Sequence, residues 1–144
     1  MRKRVIVSVI NDLSSDQRVN RTCETLIEQG FSVLLVGRIM RKSKPLKVRD
    51  YQTKRMKLLF EKGALFYAEF NLRLFFLLLF KNFDVLHAND LDTLLANRLI
   101  QKIKGGELVY DSHEYFTEVP ELKERSFAKN TWLRIEKAIF PKLK

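Results

Sequence analysis

At 144 residues the chain has the size of one compact domain, and its 46% hydrophobic content supplies a core and excludes a disordered polymer. Lysine and arginine outnumber aspartate and glutamate 27 to 17, and the formal charge of +10 favours an anionic partner: nucleic acid, an acidic membrane surface or a phosphorylated substrate. The one cysteine, Cys23, excludes an internal disulfide and fits a reducing compartment.

In chain order, Met1-Arg2-Lys3-Arg4 is basic, but the apolar run Val5 to Ile10 is too short for a signal peptide and meets Asn11-Asp12 at once. Arg4 to Ile10 instead predicts a strand buried on both faces. Asn11 to Ser15 has loop composition. Asp16 is placed to cap a helix that Gly30 ends, with Val19, Cys23, Leu26 and Ile27 on one face. Phe31 to Val36 predicts a second strand, punctuated by Gly37. Arg38 to Lys57 holds nine cations against Asp50 alone, and Pro45 argues against a long helix, so a basic loop and a short strand near Met56 to Phe60 are expected.

Ala64 to Phe80 is a Leu/Phe-rich helix interrupted by Glu69, Asn71 and Arg73. A spanning helix needs about 20 mostly apolar residues, and central charges are costly there. The segment reads as a helix buried in the domain, with partial contact at a membrane surface as the alternative. Phe83 to His87 predicts another strand, Asn89 or Asp90 a cap, and Leu91, Leu94, Leu95, Leu99 and Ile103 the stripe of a helix stopped by Gly105-Gly106. Leu108 to Tyr110 predicts the fifth strand. A polar loop with Pro120 follows, and then a helix with Trp132, Ile135, Ile139, Phe140 and Leu143 on one face. That face has little chain left to cover it, so the domain is expected to continue into, or pack on, something further.

The alternation of strands and helices argues for an α/β fold: a Rossmann-like, doubly wound parallel sheet with helices on both faces. In that strand order the first, fourth and fifth strands are neighbours. Three polar loops then line one crevice: Asn11 to Arg18, His87-Ala88-Asn89-Asp90, and Asp111-Ser112-His113-Glu114. Each also has an ordinary reading. Asp16 and Asn89-Asp90 serve as helix caps, and His87 as a strand-end histidine. Asp90-Leu91-Asp92 looks like a metal motif, but a helix dipole explains both acids, so no metal is expected. Arg18 sits against the positive helix end, which suggests an anion or a pairing with Asp16 or Asp90.

Asp111, Ser112 and His113 have the residue types of a hydrolase triad, yet neighbours on an extended chain point to opposite faces and cannot form the relay. No glycine follows the first strand, so neither a dinucleotide fingerprint nor a P-loop is present. Cys23 reads as inert core. Nucleic-acid binding by Arg38 to Lys57 is disfavoured, because only Tyr51 is interleaved and no recognition helix is evident.

Taken together, Asp16-Gln17-Arg18-Val19-Asn20-Arg21, Asp84-Val85-Leu86-His87-Ala88-Asn89-Asp90 and Val109-Tyr110-Asp111-Ser112-His113-Glu114 resemble the N-terminal half of GT-B glycosyltransferases of the group-1, or family 4, type. The resemblance extends over essentially the whole chain. It implies an acceptor-binding domain facing a C-terminal donor domain, which this chain lacks and which would be a further domain or a partner chain. It implies sugar transfer from a nucleotide-sugar donor with retention, without metal or other cofactor, to a cell-envelope, polysaccharide or lipid-linked acceptor.

By the same resemblance His113 is the active-site histidine, with Asp16, Arg18, His87, Asp90 and Glu114 around the substrate. Relatives often carry Gly-Gly in the first loop, where this chain has Ser14-Ser15-Asp16. A cytoplasmic location with peripheral contact at the inner membrane face is expected. The alternative function is a non-catalytic basic module that docks on anionic membrane, through Arg38–Lys57 and Ala64–Phe80, or on a partner chain.

Overall fold

The computed structural model describes residues 1–112 and 126–139. Its elements are β1 (Arg4–Asp12), α1 (Gln17–Glu28), β2 (Ser32–Ile39), β3 (Gln52–Lys57), α2 (Gly63–Leu79), β4 (Val85–Asn89), α3 (Leu91–Lys104), β5 (Glu107–Asp111) and α4 (Ser126–Ile139). The strands form one sheet in the order β3-β2-β1-β4-β5, and every pairing is parallel. This is the Rossmann-like arrangement expected from the alternation, with β1, β4 and β5 adjacent.

Strand alternation divides the core in two. Val5, Val7 and Val9 of β1 pack with Leu13 and with Val19 and Cys23 of α1. Ile6 and Ile10 pack on the other face against Phe66, Phe70, Leu74 and Leu78 of α2 and Ile100 of α3. Helices therefore cover both faces. Trp132 and Ile139 of α4 join Ala88 of β4 with Leu91 and Leu94 of α3 in a third cluster.

Several expectations need correction. β1 continues through Asn11 to Asp12, with an irregular register against β2 between Ser8 and Asp12. Gly37 lies inside β2 rather than at its end. A Cβ there would collide with the buried Leu13 side chain and lie 3.0 Å from the Asn11 carbonyl oxygen, so the chain turning out of β1 requires glycine at this crossing. β3 starts four residues earlier than its apolar end suggests. As an edge strand it carries Gln52, Thr53 and Lys54 exposed, a composition that protects an edge and hides it from an apolar-run reading.

Among the described residues of the α4 stripe, Trp132 packs edge-on to Tyr67 of α2 at 5.4 Å, and Ile135 and Ile139 join the cluster with α3. Phe140, Leu143 and Pro120 lie outside the described residues.

The polar interruptions of α2 all have structural partners. The Glu69 carboxylate accepts the N–H groups of Leu59 and Phe60 and pairs with Arg73 at 2.7 Å. Asn71 donates to the Asp92 carbonyl at 2.7 Å and accepts the Ala96 N–H at 3.3 Å, so one amide ties α2 to the first turn of α3. Among the described residues no helix is long and apolar enough to cross a membrane.

Candidate functional site

The carboxyl edge of β1, β4 and β5 is where open parallel sheets hold ligands. Asp12 shapes the first loop there. Its carboxylate accepts the Ser14 N–H at 2.9 Å and the Ser43 hydroxyl, and its carbonyl accepts the Ser15 hydroxyl. Burial works against the charge, but these donors hold its pKa below the ordinary carboxylate value. Asp16 caps α1 as expected, accepting the Val19 N–H at 3.0 Å and the Asn11 amide at 2.9 Å. Its carboxylate is thus engaged in local structure.

Arg18 leaves the first turn of α1 and reaches across the edge. Its guanidinium lies 3.2 Å from the Asp90 carboxylate and 3.7 Å from that of Asp111. The charge that was misplaced against its own helix is thereby matched by two acids from the ends of β4 and β5. Asp90 does not cap α3 with its side chain. It adopts φ 62°, unusual for a residue with a Cβ, while its N–H donates to the Asp111 carbonyl at 2.9 Å. A strained backbone at a ligand edge is a common mark of a functional position. Here it turns the Asp90 carboxylate toward Arg18.

Asn89 is fully buried and does not act as a cap either. Its amide nitrogen donates to the Ser8 carbonyl at 3.1 Å and lies 3.3 Å from Nδ1 of the half-buried His87. The donor and acceptor roles in that last contact depend on the His87 tautomer. The register pairs His87 with Val109 and Asn89 with Asp111, which sets these four on one sheet face.

Two features were not legible beforehand. Asp111, rather than its neighbours, supplies the second carboxylate to Arg18. Asp92, read as a first-turn acid explained by the helix dipole, is 4% exposed, with Oδ1 unsatisfied. Burial, reinforced by the Asp90 charge, pushes its pKa well above the ordinary carboxylate value. The helical stripe had a signal for this, because Asp92 lies next to Leu91 and one turn from Leu95 and Ala96 on a helix buried on several sides.

Among the described residues no cluster of three or more histidine, cysteine or acidic side chains is placed to hold a metal ion. His113 and Glu114 lie outside the described residues. Three cations of the basic segment are engaged internally: Arg49 donates to the Leu13 carbonyl at 2.8 Å and to the Tyr51 hydroxyl, Arg55 donates to the Lys44 carbonyl, and Arg38 stacks 4.4 Å over Phe66; Arg41, Lys42, Lys44, Lys47, Lys54 and Lys57 are exposed. Burial raises the Tyr51 hydroxyl and the Cys23 thiol each to about 12, so Cys23 is unreactive core.

The edge therefore offers a guanidinium held between two partly exposed carboxylates, with the His87 imidazole on the same sheet face as Asp111. Such a set can hydrogen-bond several hydroxyls of a polyol or receive a phosphate. No protein-family model matches this chain, and no curated protein matches it.

Proposed function

We propose that this chain is the acceptor-side half of a retaining glycosyltransferase that takes its sugar from a nucleotide-sugar donor. The observation carrying the proposal is the bridge from Arg18 to Asp90 and Asp111. It joins the three motifs of the resemblance at one sheet edge, in the strand order such a domain requires. His113 follows Asp111 by two residues in the sequence and is assigned to the wall of the transfer site. Arg18, His87, Asp90 and Glu114 are assigned to hydroxyl and phosphate recognition. Asp16 contributes by holding the first turn of α1, from which Arg18 projects.

In this reading the anomeric carbon–oxygen bond to the donor diphosphate breaks as the bond to an acceptor hydroxyl oxygen forms on the same face, so that configuration is retained, and the acceptor proton passes to the diphosphate oxygen of the departing nucleoside diphosphate. No metal is required by the proposal. A second, donor-binding domain completes the crevice, on the same or another chain, and a cell-envelope, polysaccharide or lipid-linked acceptor suits the basic surface.

The test assays sugar transfer by the domain combined with its donor half. His113→Ala and Arg18→Ala are each expected to lower turnover by about 100-fold or more, the scale on which positioned polar and proton-transfer groups act. Undiminished turnover in His113→Ala removes that residue from the mechanism.

A further inference from the structure

α2 buries Phe66, Phe70, Leu74 and Leu78, yet its opposite side is also apolar. Leu65 is 61% exposed, Leu72 59%, Phe76 50% and Phe80 82%. Their spacing of seven, four and four residues keeps them near one line along the helix, about 22 Å from end to end. Exposed Leu59 and Phe60 extend the apolar surface at the amino end, because the Glu69 carboxylate accepts both of their N–H groups and ties the 58–60 turn against the helix. Isolated exposed leucines are ordinary, but a row of large apolar side chains along one helix side, here interrupted by the Glu69–Arg73 pair, marks an interaction surface.

The stripe's surroundings are cationic. An open cavity of about 730 Å³ at the amino end of α2 is lined by Arg41, Lys57 and Lys62, together with Leu59, Phe60 and Glu61. Lys54 is exposed on the same face of β3 as Met56, which packs under α2, and exposed Lys81 follows the helix. The acids near the stripe are Glu61 and Glu69, and Glu69 is already paired with Arg73.

We infer that this face docks flat on an anionic phospholipid surface. Leu59, Phe60, Leu65, Leu72, Phe76 and Phe80 enter the interfacial layer, and a lipid headgroup phosphate is seated among Arg41, Lys57 and Lys62. An amphipathic contact of this kind combines apolar insertion with attraction of surface cations to acidic lipids. Charge complementarity selects this occupant, because the cations around the stripe attract acidic headgroups while the chain's net charge of +10 opposes association with a second copy. The docking face is narrower than the Arg38–Lys57 segment, since Arg38, Arg49 and Arg55 are used internally and Lys44 and Lys47 line a separate cleft beside α1. It uses none of the crevice residues and stands independently of the transferase reading.

The test is flotation of the full chain with phosphatidylcholine vesicles, with and without phosphatidylglycerol. Wild type is expected to float with the acidic vesicles and to be released by salt. Leu72→Glu with Phe76→Glu should weaken the partition at least tenfold with unchanged circular dichroism, as both side chains are exposed. Lys57→Glu with Lys62→Glu should abolish the preference for acidic lipid. Absence of wild-type flotation overturns the inference, whatever the variants do. Equal flotation of the stripe variant also overturns it, as does a concentration-dependent dimer that Phe76→Glu dissociates while vesicles remain unbound.

Discussion

Arg18 shows how a local misfit is compensated across the fold. A cation in the first turn of a helix opposes the helix dipole, and its compensation comes from Asp90 and Asp111, far away in sequence. All three side chains are partly exposed, so solvent screening limits the bridge to about 0–1 kcal/mol of stability. Arg18→Ala should therefore leave the denaturation midpoint nearly unchanged while disabling the crevice. Arg18→Lys should recover little function, because an ammonium lacks the planar fork that spans two carboxylates.

Asp92 makes the opposite prediction, a stability effect. Its folded pKa is raised by burial and by Asp90, so the fold favours the neutral acid. That contribution is complete below the unfolded carboxylate pKa of about 3.9 and is lost as pH rises through the folded value. Asp12, Glu69 and Asp84 have lowered values, and their contributions are present above the unfolded pKa and lost as pH falls. Wild type is thus expected to lose stability as pH falls, whereas Asp92→Asn should gain stability relative to wild type progressively as pH rises from about 4. Melting curves across that range check the sign, and a constant difference would place the neutral acid elsewhere.

At the scale of elements, α2 is the place where a composition reading meets its limit. Its Leu/Phe run shows an apolar helix but not which of its sides is covered. Both sides are apolar, so periodicity carries no direction. Asn71 resolves one flank by bridging the Asp92 carbonyl and the Ala96 N–H of α3. Asn71→Leu should cost about 1–3 kcal/mol, the penalty of leaving such groups unmet, measured by urea denaturation.

Gly37 is a second element-level constraint. Gly37→Ala inserts a methyl group against Leu13 and the Asn11 carbonyl and should destabilise by about 1–3 kcal/mol, the usual range for overpacking. β1, β2 and β4 were legible to within a few residues because buried parallel strands are continuous apolar runs. β3 was displaced because edge protection replaces that run with polar residues.

Across the whole molecule, α4 is integrated rather than appended. Trp132 is buried between α3 and Tyr67, and Trp132→Ala should cost about 3–5 kcal/mol, as for other large-to-small core changes. A single shifted unfolding transition is expected, and an early separate transition would show α4 to be an independent unit.

The sequence by itself determined the element alternation, the parallel sheet and the caps at Asp16 and Gly30, because apolar runs and helix termini are governed by neighbours within a few residues. It also determined which three loops carry polar chemistry, since these interrupt strand exits directly. The tertiary structure alone decided that Arg18 joins Asp90 and Asp111, that Asp92 is sealed from water, and that α2 leaves one of its apolar sides exposed. Each of those depends on which elements the crossovers bring together, and pairing across 70 or more positions leaves no periodic trace in the chain.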